Sequence, residues 1–175
     1  MKVGDNSFES KSSFLSIEKD FSMITHKMLK NEKLKKLLFY QTMDCLEKSN
    51  LTREETMSLV NKQIKIVPQK LYDPEVYSYV LISFNNFVTN STNPEFRDNT
   101  ITFDIVCHYD NWNLGNFQLR PYKIAGEIDA LFNEKYLTGI GRLVFLSGDI
   151  TAIDDDFGAL SLTYLAIHGE DDKIE

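Results

Sequence analysis

The residues best suited to chemistry are a run of three aspartates near the C-terminus. Asp154, Asp155 and Asp156, with Asp149 nearby, could ligate Ca²⁺ through their carboxylate oxygens. A calcium-binding loop alternates its acidic residues, carries glycine at its sixth position and ends in a bidentate glutamate. Three contiguous carboxylates on a loop do not all point inward. The sequence therefore favours a solvated acidic hairpin over a metal site.

Motifs for catalysis are missing from the sequence. Asp156-Phe157-Gly158 matches the metal-binding triplet of protein kinases, but a kinase also needs a Gly-rich phosphate loop, a strand lysine and a catalytic loop upstream. The chain has no G-x-S-x-G elbow, no H-E-x-x-H and no Walker lysine. We expect no enzymatic activity, no metal and no cofactor. An active site assembled only by the fold remains the enzymatic alternative.

The cysteines and histidines do not form a ligand set. Cys45 lies on a predicted helix and Cys107 on a predicted strand, so both are expected to be small buried side chains. His26, His108 and His168 share no ligand spacing. Cys107 and His108 are neighbours on a strand and point to opposite faces, so they do not form a catalytic pair.

Lysines and loop aromatics are better candidates for binding another protein. The cluster of lysines at 27–36 forms either a solvated helix face or a basic surface for an acidic partner. Trp112, the sole tryptophan, either folds back onto the following helix or serves as an exposed anchor. We predict that basic residues of one subunit face the acidic loop of another, with loop aromatics as apolar contacts. The predicted subunit-interface residues are Lys33, Lys35, Lys36, Trp112, Asp154, Asp155, Asp156 and Phe157.

Size, composition and charge limit the class of protein. A chain of 175 residues with 42% hydrophobic and 26% charged residues can bury the core of one globular domain. Residues 1–63 carry 11 Lys+Arg and 9 Asp+Glu, whereas residues 64–175 carry 8 and 17. The net charge of -7 argues against a nucleic-acid-binding surface, because phosphate contacts need Lys and Arg. With no signal peptide and no membrane span in the sequence, we expect a cytoplasmic location.

The elements that must position these residues change type once, near residue 64. Before that point, apolar residues recur at helical spacing from Ile17 to Met28, and Thr52 with Glu55 forms a capping box. From Ile64 the apolar period is two, which is typical of strands. We predict a helical N-terminal region at 1–63, an antiparallel core domain at 64–169 and an acidic tail at 170–175.

The core domain is predicted in more detail. Its elements, in order, are strands at 64–67, 76–88 and 100–109, a helix at 121–136, and strands at 142–146, 150–153 and 159–167. This order predicts an α+β fold: N-terminal helices followed by a ββαββ antiparallel sheet covered by one amphipathic helix. In the predicted core, Ile124, Ile128, Leu131 and Phe132 pack against Phe103, Ile105, Leu162 or Tyr164.

The order of segments in the second half of the chain gives a further indication of its class. Two long strands are followed by the helical segment from Arg120 to Phe132, by Gly139-Ile140-Gly141 and by a further strand. In these features, residues 76–169 resemble the phage tail-terminator or tail-completion (neck ring) family. Residues 156–164 look like the closing strand of that family.

That resemblance implies a homo-oligomeric ring, typically a hexamer, that caps the tail tube beneath the head. Its partners would be further copies of itself, tail tube or sheath proteins and head-connector proteins. DNA would only pass through the channel, without sequence-specific binding, and an acidic second half would leave it free to slide. The protein would occupy the host cytoplasm during assembly and the virion afterwards, with no membrane involved.

Several functions remain open at this point. The first hypothesis is a tail terminator, with another neck or connector ring, or a tail-tube-associated protein, as its close variants. The second is a non-viral accessory module that binds proteins as a monomer or dimer. The third is an enzyme whose site is assembled by the fold.

Overall fold

The structure, a computed structural model, describes residues 13–66, 77–89, 97–138 and 140–167. In these ranges the helices are α1 (Ser13–Leu29), α2 (Glu32–Phe39), α3 (Arg53–Ser58) and α4 (Arg120–Phe132), with short 3-10 helices at Cys45–Glu47 and Tyr109–Asn111. The strands are β1 (Ile64–Lys65), β2 (Ser78–Thr89), β3 (Arg97–His108), β4 (Lys135–Leu137), β5 (Gly141–Ala152) and β6 (Phe157–Ile167). Val67, the loop at 90–94, His168 and the predicted acidic tail lie outside the described residues.

These strands form one sheet in the order β1-β2-β3-β6-β5-β4. All neighbouring strands are antiparallel except β1 and β2, which run parallel. The register places Phe103 of β3 opposite Ile82 of β2 and Leu162 of β6, so apolar residues share one face. The predicted α+β class, with N-terminal helices and a helix packed on the sheet, is confirmed.

The packing of α4 on that face follows the predicted stripe. Ile124, Ile128 and Phe132 are fully buried, and Leu131 is half-buried against the same core. The rings of Phe132 and Phe103 stack with centroids 5.1 Å apart. The core prediction is therefore confirmed for Ile124, Ile128 and Phe132, whereas Leu131 is buried only in part.

Two element boundaries differ from the prediction. The helix expected to reach residue 136 ends at Phe132, because Asn133 turns to an extended conformation and Tyr136 lies on β4. The strands expected at 142–146 and 150–153 are one strand, β5, with a bulge between Phe145 and Ser147. Pairing with β6 overrides the turn-like composition of residues 147–149.

Arg120, the first residue of α4, joins the N-terminal helices to the sheet. Arg120 is fully buried, and its guanidinium group donates to four backbone carbonyls. The acceptors are Asn111 O at 2.8 Å, Leu37 O at 2.6 Å, Tyr40 O at 2.8 Å and Thr42 O at 2.8 Å. Since the last carbonyls of a helix lack partners within the helix, a cation beside them is stabilising. Arg120 therefore holds the C-terminal end of α2 against the start of α4.

The N-terminal helices share the apolar core of the sheet. Ile24 and Met28 of α1, and Leu34 of α2, belong to the same buried cluster as Phe103. Cys45 and Cys107 are both buried free thiols, as expected. The capping box is present, with Thr52 N–H donating to Glu55 Oε2 at 2.7 Å and Glu55 N–H donating to Thr52 Oγ1 at 3.2 Å. None of the helices in the described ranges is long and apolar enough to cross a membrane.

Candidate functional site

Aromatic side chains cluster at one end of the sheet, where β3 ends and β6 begins. We call these residues the aromatic tip; they form two groups of rings, one of Tyr77, His108 and Phe157 and the other of Tyr109 and Trp112. The ring centroid of His108 lies 5.0 Å from that of Tyr77 and 5.0 Å from that of Phe157. Tyr109 and Trp112 stack with centroids 5.0 Å apart and planes 6° apart. The pairing of His108 with Phe157 across β3 and β6 positions the first of these two groups.

Trp112 folds back onto the sheet. Its indole lies over Gly158 of β6, and a Cβ added to that glycine would overlap the indole. Its carbonyl oxygen accepts a hydrogen bond of 2.7 Å from the Arg120 N–H. The sequence left open whether Trp112 covers the following helix or projects outward, and the structure instead places it over a strand, half-buried. Its role in a subunit interface stays a prediction.

The acidic loop beside the tip contains Asp154, Asp155 and Asp156, which differ in their hydrogen bonds and exposure. Asp154 Oδ1 accepts hydrogen bonds of 2.8 Å from the N–H groups of Asp156 and Phe157, so this carboxylate shapes the turn. Asp155 and Asp156 are exposed. The Tyr109 N–H donates to Asp156 O at 2.8 Å, which ties the loop to the tip. Across the described ranges, no group of three or more His, Cys, Asp or Glu side chains could hold a metal ion.

The lysines predicted to form one basic surface have three different environments. Lys35 is buried, and its Nζ donates to Glu32 Oε1 at 2.6 Å and to Thr56 Oγ1 at 3.3 Å. Lys36 is half-buried, with its Nζ 3.4 Å from Leu46 O, whereas Lys33 is exposed. Lys35 therefore cannot present its ammonium group to another subunit, which corrects its place in the predicted surface. These lysines belong to α2, whereas the aromatic tip lies where β3 ends and β6 begins.

The outer edge of β5 was not expected from the sequence. β4 pairs only with β5 residues 141–143, so among the described residues the remainder of β5 has a strand neighbour on one side only, β6. We call residues 144–152 the β5 edge. The Phe145 N–H donates to Asn133 Oδ1 at 3.1 Å. The Ile153 N–H donates to Phe157 O, so the backbone groups of Ile153 point toward β6. Because backbone groups of successive residues point to opposite sides of a strand, those of Gly148 and Ile150 point away from β6.

The β5 edge also exposes large apolar side chains. Phe145 is 43% exposed, Leu146 is 58% exposed and Ile150 is 60% exposed. Ile150 pairs with Leu160, a core residue, so Ile150 lies on the helix-covered face of the sheet but beyond the cover of its helices. An outer strand with open backbone groups and exposed apolar side chains is a template for contact with another chain.

Comparison with protein families identifies a relationship. The model of the YomW family matches residues 31–166. This range includes the aromatic tip, the β5 edge and Arg120 with its four carbonyl acceptors. No curated protein and no solved structure matches the chain.

Proposed function

The chain belongs to the YomW family, a phage-derived family of the Bacillus phage SPbeta region, and we propose that this phage-associated protein is a structural protein forming a homo-oligomeric ring. The proposed place of the ring is the head–tail neck of a tailed phage, where it terminates the tail. The ring has six copies, as the resemblance to tail terminators implies. It forms in the host cytoplasm and remains in the virion.

The β5 edge is the observation that carries this proposal. A long open strand edge with exposed apolar side chains is a liability for a protein that acts alone, because any other chain can pair with it. A neighbouring subunit that covers the edge removes the liability. A closed ring also requires that one surface of the chain fits a different surface of the next copy. The β5 edge supplies one of these two surfaces.

Charge supports the position in the neck. Residues 64–175, a range that includes the strands and the aromatic tip, carry 17 Asp+Glu against 8 Lys+Arg. A channel lined by such a surface repels phosphate and lets DNA pass without binding it. Tail tube or sheath proteins and head-connector proteins are the proposed neighbours above and below the ring.

Assembly of the purified protein tests the proposal. Size-exclusion chromatography with light scattering should give the mass of six copies, and negative-stain electron microscopy should show closed rings. Ile150→Lys, which places a charge in the apolar contact, should shift the mass to the monomer. Met57→Lys is the matched control, because Met57 is 59% exposed and lies on α3, away from β5.

The oligomeric state separates the alternatives. A wild-type protein that stays monomeric, or forms only a dimer, would contradict the ring and favour an accessory protein-binding module. A ring that Ile150→Lys and Met57→Lys leave equally intact would show that the β5 edge is not the contact.

A further inference from the structure

The segment between the 3-10 helix at Tyr109–Asn111 and α4 is a small hairpin. Asn113 and Leu119 form an isolated antiparallel bridge, and the Leu114 N–H donates to Gln118 O at 2.9 Å. At its apex the Gln118 N–H donates to Gly115 O at 2.9 Å, which closes a four-residue turn. We call residues 113–119 the Phe117 turn.

Phe117 is fully exposed at the apex of this turn. Its relative exposure is 106%, the highest of any large apolar side chain in the part of the chain that the structure describes. Leu119 is 40% exposed and Tyr122, on the first turn of α4, is 49% exposed. The three exposed side chains belong to one short stretch of the chain, which we treat as one apolar surface.

The backbone at Phe117 is also unfavourable. Asn116 has a φ of 48° and Phe117 a φ of 58°, so both central residues of the turn are left-handed, the signature of a type I′ turn. Asparagine and glycine adopt this conformation readily, whereas a bulky aromatic residue rarely does. Phe117 therefore combines an exposed side chain with an unfavourable backbone conformation. Neither feature stabilises the fold of a single chain. Strain of this kind concentrates at functional sites.

Charge distinguishes this surface from the rest of an acidic protein. Residues 111–126 contain no carboxylate, and their charged residues are Arg120, which is buried, and Lys123, which is exposed. In residues 144–156, by contrast, the charged residues are four aspartates and there is no cation. The two segments are thus opposite in charge, and each exposes large apolar side chains.

We propose that Phe117 packs against the β5 edge of a second copy of this chain, with Leu119 and Tyr122 beside it. The apolar partners on the second copy are Phe145, Leu146 and Ile150. This inference rests on the proposed function and supplies the second surface that the ring requires.

Apolar contacts and charged residues serve different roles in the proposed interface. Burial of the aromatic and aliphatic side chains supplies the affinity, since interface cores are apolar and aromatic anchors dominate binding. Lys123 faces Asp149, Asp155 and Asp156 at the rim, where opposite charges guide association and set orientation. Because the Phe117 turn and the β5 edge are different surfaces, each copy gives one contact and receives another.

Phe117→Gly is the decisive variant, because it removes the side chain and relieves the backbone at the same time. Glycine is the preferred residue at this position of a type I′ turn, so the monomer should melt no lower than wild type. Self-association should weaken by about tenfold or more, as for the loss of an aromatic interface anchor. Asn116→Gly is the control, since it changes the neighbouring turn residue and keeps Phe117. Its assembly should match wild type.

Crosslinking identifies the partner surface directly. A photoreactive phenylalanine analogue at position 117, in a mixture of isotopically light and heavy protein, should crosslink to residues 145–150 of another copy. Rings that form equally well with Phe117→Gly, or crosslinks elsewhere, would overturn the inference and leave the ring standing. Crosslinks to residues 145–150 in a wild-type protein that forms only a dimer would support the contact between Phe117 and the β5 edge but contradict the proposed ring. A wild-type protein that stays monomeric would contradict both.

Discussion

Trp112 and Gly158 form a contact in which the indole takes the space that a side chain would occupy on β6. A Cβ at position 158 would overlap the indole and lie 3.0 Å from Tyr109 Cε1. The aromatic tip therefore depends on the absence of a side chain at one strand position. Since Trp112 is the sole tryptophan, its fluorescence reports on this contact.

Gly158→Ala should displace the indole and disturb the tip. We expect a loss of about 1–3 kcal/mol in the free energy of unfolding, as for other overpacked sites, and a red-shifted tryptophan emission. Gly126→Ala is the control, because nothing lies within 4 Å of a Cβ there and Gly126 is on α4. That substitution should stabilise the helix by about 0.5–1 kcal/mol. An unchanged emission spectrum in Gly158→Ala would contradict the described position of Trp112.

Phe132→Ala tests the packing of α4 on the sheet. Phe132 is fully buried and stacks on Phe103, so its truncation should cost about 3–5 kcal/mol in urea unfolding. Leu131→Ala, one residue earlier on the same helix, removes a half-buried side chain and should cost clearly less. Equal losses for the two variants would show that the helix faces the sheet with a different side.

The lysines of α2 should separate into structural and exposed residues. Lys35→Glu places a second carboxylate beside Glu32 at a buried position, and should lower the free energy of unfolding by about 1–3 kcal/mol. The loss is not larger because Glu32 is half exposed and solvent screens its charge. Lys33→Glu should leave the melting temperature unchanged, since Lys33 is exposed. If Lys33 takes part in assembly, its reversal should slow ring formation at low salt without unfolding the monomer. A Lys35→Glu protein as stable as wild type would contradict the buried ion pair.

Alkaline pH should destabilise the fold through Cys107. Burial raises the pKa of this thiol to about 12, from an ordinary value of 9.0. The thiol of the unfolded chain ionises first, so the stability it contributes is fully present below pH 9.0 and is lost as the pH rises toward 12. The free energy of unfolding should fall by up to about 1.4 kcal/mol per pH unit from this group.

Cys107→Ala should make that alkaline slope shallower in urea titrations followed by circular dichroism. Some slope should remain, because burial also raises the pKa of Tyr164. Identical slopes for the variant and wild type would show that Cys107 does not control the alkaline loss.

Local pattern predicts the parts of the fold whose residues repeat at one clear period. β3 alternates over most of its length and α4 has an apolar stripe that begins after Pro121, so the sequence predicts both elements, although α4 ends four residues before its predicted end. β5 was divided in two because Ser147-Gly148-Asp149 has the composition of a turn. Its continuity comes from pairing with β6, a contact that no local pattern contains.

The candidate site was predicted in part for the same reason. The sequence predicts loop positions for both Trp112 and Phe157, but Phe157 begins β6 and contacts His108, whereas Trp112 lies over Gly158. The burial of Lys35 and of Arg120 had no local signal, because Thr56 beside Lys35 and three of the acceptors of Arg120 come from other segments of the chain. The left-handed φ of Phe117 also had no local signal, since a phenylalanine rarely takes that position in a type I′ turn.

The four carbonyl bonds of Arg120 have a consequence for how the protein gains and loses its structure. Three of the acceptors lie 78 to 83 residues earlier in the chain, so the first helices cannot be fastened until α4 has been synthesised and docked. A fragment beginning at residue 64 would keep the guanidinium group but lose those acceptors, together with the N-terminal helices that share the apolar core of the sheet. We therefore expect helices and sheet to melt in one cooperative transition, with no stable half.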